Sequence, residues 1–385
     1  MAKRIGIFTS HYLPYLGGVE RYTANLAAHL KARGDEVVVI TSWEEGLQVK
    51  EVMEGIPVWR MPNIPLLQGR FPVSKPNKDF FKIHRQLMKY KFDLVIIQTR
   101  FYLHSLYGSY VGKKSKAQVI LLDHGTSHMT VDNPFWDRLG ALYEHGITEI
   151  LKRNCDGFYG VSKNCCHWLT HFGIHPKGVL YNAIDCQAID ALLENPIEDF
   201  RKKYHISTES LLVTYTGRLV KEKGILSLMK AFDKMAAEKD MVLMIAGDGP
   251  EMGVVEGLAN ERMIPLGRLS FEEVIALLAQ TDIYCLPTGY PEGFPTSVLE
   301  AAACGCYVIT TDKGGSRELI PNESYGKLLP NNEEKNLAKA LLYAAEHEDE
   351  RKLAAQKAKK RARKYFNWER TAAKVDRLCS QRGGE

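Results

Sequence analysis

The chain has 385 residues, of which 45% are hydrophobic and 25% are charged, with 51 Lys and Arg against 46 Asp and Glu. This composition excludes a fibrous or disordered protein and is typical of a soluble globular one. The length suits two α/β domains, since single domains usually run to about 100–200 residues.

No apolar run is long enough to cross a membrane, and the apolar stretch after Met1 is too short for a signal peptide. A cytoplasmic location is therefore expected. The 8 cysteines lack the paired spacing of a zinc site and are predicted to be reduced thiols.

The amino-terminal part predicts a doubly wound parallel sheet covered by helices on both faces. A strand is expected at 4–9, a helix at 19–32 and a second strand at 36–41, followed by strands at 94–98, 118–123 and 157–161. Gly17 and Gly18, in the first loop, allow positive φ and close backbone approach, so this loop can lie over bound phosphates or a second substrate.

Residues 186–210 carry no strong strand signal, and the alternation then restarts. Strands are predicted at 211–216, 242–246, 283–286 and 307–310, which indicates a second doubly wound domain. The basic segment 350–364 predicts a long exposed helix. Open α/β sheets bind ligands beyond the carboxyl ends of their strands, so the site is expected where two such domains face each other across a cleft.

Residues 292–305 combine a Gly/Pro-rich loop with a helix predicted to begin near Thr296. A helix N-terminus offers free N–H groups and a positive dipole end, which predicts a diphosphate site. Glu292 and Glu300 can accept hydrogen bonds from sugar hydroxyls. The alternative is that both are surface charges at the ends of a helix.

Glu292 and Glu300, with seven residues between them, resemble the E-x7-E motif of glycosyltransferase family 4, and Gly314-Gly315-Ser316-Arg317-Glu318 is similar to the Gly-Gly-x-x-Glu of that family. The resemblance implies the GT-B fold, with two Rossmann-like domains. It implies an acceptor-side domain over 1–183, rejoined by a terminal helix over 366–385, and a donor domain over 184–365.

The same resemblance implies roles for the residues of this motif. Glu300 would hold the donor ribose, and Glu292 would lie near the transferred sugar. The donor would also contact the loop between them, at Gly293, Phe294, Pro295 and Thr296.

A second segment, Gly217-Arg218-Leu219-Val220-Lys221-Glu222-Lys223-Gly224, is similar to the G-R-x4-K-G of the family. Arg218 and Lys223 are predicted to stabilise the charge that develops on a departing nucleoside diphosphate. No Asp-x-Asp occurs, so no metal and no cofactor are predicted. The alternative is a solvated basic loop, and it is preferred for Lys221.

His124 follows the strand at 118–123, where the resemblance implies a histidine that contacts the donor sugar. His128 is the rival, and Asp123 is less favoured because a role for it has little support in the sequence. A single histidine is more often structural than catalytic, and that alternative stays open.

Residues 247–253 superficially match the dinucleotide G-x-G-x-x-G pattern, but Met252 replaces the third glycine, so NAD is rejected. The resemblance implies that this loop lies at the nucleotide, with a contact at Gly249. Arg268 is predicted to flank the base.

Residues 70–91 contain seven Lys and Arg against one acid, interleaved with apolar residues. The segment predicts a basic amphipathic surface for an anionic bilayer, slightly favoured over a helix that buries its apolar stripe in the core. Peripheral association with the inner leaflet and a lipid-linked acceptor would follow. Nucleic acid is not expected, because no recognition module is present.

These features predict a retaining hexosyltransferase of cell-surface polysaccharide or glycolipid synthesis. Its donor would be a nucleotide-diphosphate sugar, UDP-sugar ahead of GDP-mannose, and its acceptor a glycan or lipid-linked saccharide. Two alternatives stay open, a sugar-nucleotide epimerase of the same fold and a catalytically silent sugar-nucleotide-binding protein.

Overall fold

A computed structural model describes residues 2–15, 17–131, 133–195, 197–236 and 239–380. The chain divides into two compact units. Unit 1 comprises residues 1–182 and 368–385, and unit 2 comprises residues 183–367. Residues 381–385 of the predicted terminal helix lie outside the described ranges.

Unit 1 alternates strands with helices over most of its length. Its strands are β1 (Arg4–Phe8), β2 (Glu36–Ser42), β3 (Lys50–Met53), β4 (Ile56–Met61), β5 (Asn63–Leu66), β6 (Phe71–Ser74), β7 (Leu94–Gln98), β8 (Gln118–Asp123), β9 (Gly157–Gly160) and β10 (Gly178–Val179). Its first helices are α1 (Gly18–Ala32), α2 (Lys78–Lys89), α3 (Leu103–Lys114), α4 (Pro134–Asn154) and α5 (Lys163–Thr170).

Among the described residues, eight of these strands form one sheet in the order β10-β9-β8-β7-β1-β2-β4-β3. Neighbours pair in parallel except β3 with β4, which is antiparallel. The winding direction reverses between β1 and β7, because β2 lies on one side of β1 and β8 lies beyond β7 on the other. Strands β5 and β6 form a separate antiparallel hairpin.

Unit 2 repeats the same alternation with fewer strands. Its strands are β11 (Leu211–Thr216), β12 (Met241–Ala246), β13 (Met263–Gly267), β14 (Ile283–Leu286), β15 (Tyr307–Thr311) and β16 (Lys327–Leu329). Its helices are α6 (Cys186–Leu193), α7 (Phe200–Lys203), a 3₁₀ turn (Lys221–Lys223), α8 (Ile225–Ala236), α9 (Met252–Gly257), α10 (Phe271–Ala279), α11 (Thr296–Cys304), α12 (Ser316–Leu319), α13 (Glu334–Glu346) and α14 (Glu348–Tyr365).

The six strands described for unit 2 form a fully parallel sheet in the order β13-β12-β11-β14-β15-β16. Here the winding reverses between β11 and β14. Strands β12, β14 and β15 are buried along their whole length, as expected for a sheet covered on both faces. Both predicted doubly wound sheets are thus confirmed.

The basic segment 350–364 does form a helix within α14, but the prediction that it is exposed is wrong for one face. Arg351 and the alanines spaced along that face are buried, because α14 packs against α11 and β15. Arg351 Nη1 donates to Ala344 O at 2.6 Å, which gives the buried guanidinium a hydrogen-bond acceptor within the packed face.

The chain closes with α15 (Trp368–Ser380), which packs against α1 in unit 1. The ring of Trp368 is buried edge-to-face on Tyr22, with ring centroids 4.9 Å apart. Within the described ranges, no helix combines the length and the apolar character needed to span a membrane.

Candidate active site

The reversal of winding in unit 2 brings two loops together at the carboxyl edge of its sheet. One loop (217–224) follows β11 and the other (287–295) follows β14. The N–H groups of Gly289 and Tyr290 both donate to Glu222 O, at 2.6 and 3.1 Å, which ties the loops to each other. Open α/β sheets bind their ligands at such a switch point.

Two of the predicted catalytic residues meet at this point. Lys223 Nζ lies 3.2 Å from Glu292 Oε1, and the Thr288 hydroxyl donates to the same oxygen at 3.3 Å. Both charged side chains keep some exposure, 24% for Lys223 and 13% for Glu292. The arrangement presents a cation and a carboxylate side by side to an incoming ligand.

The second predicted cation, Arg218, lies exposed in the loop after β11. Its carbonyl oxygen accepts a hydrogen bond of 3.0 Å from the hydroxyl of Tyr215. Burial, with the nearby Tyr284 and Glu292, raises the pKa of Tyr215, so the hydroxyl keeps its proton and anchors the loop. The backbone of Arg218 is therefore held in place while its guanidinium faces solvent.

The helix after Glu292 begins at Thr296, as predicted, and Pro295 precedes it without a side-chain cap. Residues 298–303 of α11 are buried, and Glu300 among them is only 8% exposed. Glu300 is thus buried, and the alternative that it is a surface charge at the end of a helix is wrong for this residue.

The loop 292–295 is supported from behind by two glycines. A Cβ on Gly314 would lie 2.7 Å from Glu292 O, and a Cβ on Gly315 would overlap the ring of Phe294. The Gly-Gly pair therefore fits because only a bare backbone can approach the loop this closely.

The side chain of Phe294 does not lie where the predicted donor contact requires it. Its side chain is 3% exposed and packs on Phe366, with ring centroids 5.1 Å apart. The side chain belongs to the core of unit 2, so a donor contact at this position is limited to the backbone. The neighbouring Gly293 and Thr296 are half-buried and remain accessible.

The loops after β12 and β13 lie at the same edge. Leu219 N donates to Asp248 O at 2.9 Å, and Gly247 N donates to Gly267 O at 2.8 Å. These bonds place half-buried Gly249 and exposed Arg268 in loops close to the loop of Arg218. That these two residues contact a nucleotide stays a prediction.

In unit 1, the prediction that Gly17 and Gly18 adopt positive φ is wrong. Gly17 has φ −129° and is the N-cap of α1, Gly18 is the first residue of that helix, and neither has a positive φ. A Cβ on Gly17 would instead overlap the carboxylate of Glu20. Close approach to Glu20 therefore explains Gly17 better than unusual backbone angles do.

Glu20 is a residue that the sequence interpretation missed. It lies in the first turn of α1, is 6% exposed, and burial raises its pKa to about 7. The only sequence signal is its place after two glycines at a predicted helix start. Burial of a carboxyl there is a property of the packed structure and not of the sequence pattern.

His124 lies directly after β8 and is held by two neighbours. Its Nε2 is 2.6 Å from Gln98 Oε1, and its ring meets Tyr22 edge-to-face at 4.9 Å between centroids. The side-chain amide of Gln98 and the ring of Tyr22 therefore hold the imidazole in place. Burial lowers the pKa of His124 to about 3, so the imidazole is neutral at ordinary pH.

The two weaker candidates near His124 have other partners. Arg100 Nη1 donates to Asp123 Oδ2 at 2.7 Å and its Nη2 donates to Glu144 Oε2 at 2.5 Å, all three side chains being buried. This network accounts for Asp123 as a structural group. The rival His128 lies beside His145 and His171 instead.

The predicted basic amphipathic segment 70–91 is not one amphipathic surface. It comprises β6, a short connection and α2, and the helix buries Ile83 and Leu87 in the core of unit 1. The apolar stripe therefore faces inward, as the alternative held. The exposed face of α2 carries Lys78, Lys82, Arg85 and Lys89.

Comparison with known proteins gives matches along both units. Residues 16–188 match the family described as Glycosyltransferase Family 4, and residues 196–361 match the family described as Glycosyl transferases group 1.

Similar full-length proteins and structures are known. An uncharacterized glycosyltransferase of Methanocaldococcus jannaschii is 23% identical, with 97% of each chain covered. N-acetylgalactosamine-N,N'-diacetylbacillosaminyl-diphospho-undecaprenol 4-alpha-N-acetylgalactosaminyltransferase of Campylobacter jejuni is 25% identical over 94% of this chain and 96% of its own. The structure of Anabaena HepE in complex with UDP-glucose superposes with a TM-score of 0.74 at 18% identity, covering 98% of this chain and 100% of that one.

Proposed function

We propose that the chain, which belongs to the group 1 glycosyltransferases of the family 4 type with their GT-B fold, is a retaining, metal-independent hexosyltransferase. Its donor is a nucleotide-diphosphate sugar and its acceptor a glycan or lipid-linked saccharide. The observation that carries the proposal is the approach of Lys223 to Glu292 at the switch point of unit 2.

The donor diphosphate is expected to bind unit 2 through positively charged side chains and the positive end of a helix dipole. Arg218 and Lys223 supply cations, and the N-terminus of α11 supplies backbone N–H groups. Positive groups close to a leaving diphosphate stabilise the charge that grows on it. These groups do the work that a divalent ion performs in other transferases.

In the proposed reaction, the bond between C1 of the sugar and the β-phosphate oxygen breaks, and its electron pair goes to the phosphate. The acceptor hydroxyl oxygen bonds to C1 on the same face of the ring. Its proton passes to the departing phosphate oxygen, so the products are the glycoside and a nucleoside diphosphate. Glu292 would hydrogen-bond the sugar hydroxyls, and Glu300 the donor ribose.

The proposed donor is a UDP-sugar, and support comes from the HepE complex with UDP-glucose. The Campylobacter relative, whose name gives a diphospho-undecaprenol-linked saccharide, supports a lipid-linked acceptor. Contacts at Gly249 and Arg268 would hold the nucleoside, and those at Gly293 and Thr296 the diphosphate. Pro295 is buried and has no N–H group to donate, so the contact predicted for it is not proposed again.

A lipid-linked acceptor agrees with an exposed apolar face on α4. Phe135, Leu139 and Leu142 are spaced at i, i+4 and i+7, and with Trp136 they are 44% to 70% exposed. Exposed apolar patches of this kind often mark membrane or protein contacts. We therefore keep the proposal of peripheral association with an anionic bilayer, now through α4 and the basic face of α2.

Vesicle sedimentation at low salt tests the membrane proposal. Trp136→Ser with Leu142→Ser, and Lys82→Glu with Arg85→Glu, should each reduce binding to vesicles containing phosphatidylserine. Wild-type protein that stays in the supernatant would remove the proposal and leave the transferase untouched.

The transferase proposal is tested by product chemistry. The EDTA-treated protein is incubated with UDP- or GDP-sugars and lipid-linked saccharide acceptors, and the anomeric configuration of the product is read by NMR. Transfer with retention supports the proposal. An inverted linkage contradicts the mechanism, a released epimer of the donor indicates an epimerase, and binding without turnover indicates a silent binding protein.

A further inference from the structure

A cluster of three histidines lies in unit 1, apart from the residues assigned above to sugar transfer. His128 comes from the segment after β8, His145 from α4 and His171 from the residue that ends α5. Each offers a ring nitrogen within 4.8 Å of the others. Three imidazoles from three different segments therefore converge on one point.

The spacing of two of them fits a common ligand. The Nε2 atoms of His128 and His171 are 3.2 Å apart. Two nitrogens bound at about 2.0–2.1 Å to a tetrahedral Zn²⁺ lie about 3.3 Å from each other. A hydrogen bond between two neutral rings has a similar length, but it gives no reason for His145 to join them.

A buried carboxylate also lies close to His128. The Nδ1 atom of this histidine lies 3.2 Å from Glu144 Oε2. Glu144 is itself held, since Met129 N donates to its Oε1 at 2.7 Å and Arg100 donates to its Oε2. Nδ1 of His128 makes no hydrogen bond to this carboxylate, so Glu144 supplies a negative charge close to the cluster and does not fix the tautomer of the ring.

The ring of His171 is fixed by aromatic neighbours and open to solvent. It stacks on Trp168 with centroids 4.8 Å apart and 7° between planes, and meets Phe172 edge-to-face. The residue is exposed, whereas His128 and His145 are half-buried. An ion bound here would reach solvent on one side, which leaves room for water as a fourth ligand.

We propose that His128, His145 and His171 bind one divalent transition-metal ion, with Zn²⁺ as the reference, completed by a water molecule. Imidazole ligands suit Zn²⁺ and its first-row neighbours, and not Mg²⁺ or Ca²⁺. The bound ion would join the segment after β8, which also carries His124, to α4 and α5. The proposal does not depend on the transferase reaction.

The test uses the full chain, freed of metal by a chelator that is then removed, and Co²⁺ as a spectroscopic substitute for Zn²⁺. Titration of the wild type should give intense visible absorption of four- or five-coordinate Co²⁺ that saturates at one ion per chain. Thiolate-to-cobalt absorption in the near ultraviolet should be absent, because all three protein ligands are imidazoles.

His145→Gln and His171→Gln should each weaken Co²⁺ binding at least tenfold, while His167→Gln, an exposed histidine on α5, should bind like the wild type. Zn²⁺ should raise the melting temperature of the wild type and of His167→Gln, and should not raise that of His171→Gln. The metal-free melting temperature of His171→Gln shows that the variant folds, since the residue is exposed.

Three results would overturn the proposal: no visible absorption at one equivalent, equal binding by the cluster variants and the wild type, or a thiolate band that moves the ion to cysteine. A pair of hydrogen-bonded rings without a metal site would give the first of these.

Discussion

At the scale of single residues, Lys223 and Glu292 define the chemistry proposed for unit 2, because they form an ion pair of 3.2 Å at the switch point. Glu292→Gln keeps the shape of the side chain and removes its charge. We expect kcat to fall about 100-fold, the size typical for loss of one fixed electrostatic group. The dissociation constant of the nucleotide should change little, since Lys223 stays available to the diphosphate.

Steady-state kinetics and calorimetric titration of the nucleotide check this prediction. Glu272→Gln is the matched control, because Glu272 is an exposed carboxylate on α10. Equal kcat for Glu292→Gln and the control would remove Glu292 from the proposed mechanism.

The buried carboxyl of Glu20 predicts a pH dependence of stability. Burial raises its pKa to about 7 in the folded chain, against 4.5 for the ordinary group. Between these values the folded state holds a proton that the unfolded state has lost, so stability falls as pH rises. Glu20→Gln removes this effect. Its free energy of unfolding should therefore rise relative to that of the wild type, by up to about 3 kcal/mol, as the pH goes from 4.5 to 8.

Denaturant unfolding of the wild type and Glu20→Gln at pH 5 and at pH 8 measures this difference. Glu36→Gln, an exposed carboxylate at the start of β2, serves as the control. A difference between Glu20→Gln and the wild type that does not change with pH would show that the Glu20 carboxyl is ionised when folded.

Residue patterns predicted which loops meet in unit 2 better than they predicted the buried groups of unit 1. Glu292, Lys223 and Arg218 stand in short motifs whose loops follow buried strands, so the sequence alone brings them to one edge. Glu20 and Arg100 are buried by segments that are distant in the sequence, and no local residue pattern predicts such burial.

At the scale of elements, the loop after β11 depends on Gly224. Its φ is +73°, and a Cβ there would overlap Pro287 O in the loop after β14. Gly224→Ala should therefore cost more than 1 kcal/mol of stability and weaken nucleotide binding as the two loops separate.

Thermal unfolding with and without nucleotide measures both effects. Gly253→Ala, on α9 where a Cβ meets open space, is the matched control and should be neutral or slightly stabilising. Equal melting temperatures for the two variants would show that the loop tolerates a side chain at Gly224.

The terminal helix α15 is held in unit 1 by a buried aromatic contact. Trp368 is 2% exposed and lies against Tyr22 of α1. Trp368→Ala should lower the free energy of unfolding by about 3–5 kcal/mol. Arg377→Ala, an exposed change on the same helix, should have little effect, and equal stabilities in denaturant would contradict the packing role of α15.

The strands 94–98, 118–123, 211–216 and 283–286 were predicted with the bounds that the structure shows, because continuous β-branched and apolar runs mark strands buried on both faces. β3 to β6 were not predicted. Their residues alternate weakly and include prolines, and their pairing is set by a neighbouring hairpin or edge. The helices α6 and α7 are short and lie in a polar stretch, which hides their period.

At the scale of the whole molecule, the repeated strand and helix alternation predicted two doubly wound units, and the resemblance to glycosyltransferase family 4 implied the GT-B class. The division at 183–367 gives each unit its own sheet and its own reversal of winding. The histidine cluster in unit 1 was beyond sequence reasoning, because residues 128, 145 and 171 have no recognisable metal-site spacing and converge only in three dimensions.

Unit 2 is proposed to bind a nucleoside diphosphate through cations and a helix end, without a metal. Calorimetric titration of UDP and GDP into the EDTA-treated protein tests it most directly, with Arg218→Ala beside Arg262→Ala. Arg262 is exposed and precedes β13, at the opposite edge of the same sheet. Binding by the wild type and Arg262→Ala, weakened about 10- to 100-fold in Arg218→Ala, is the predicted result. Binding that needs a divalent ion, or equal affinity for both variants, would show that Arg218 and the helix end do not form a metal-free diphosphate site.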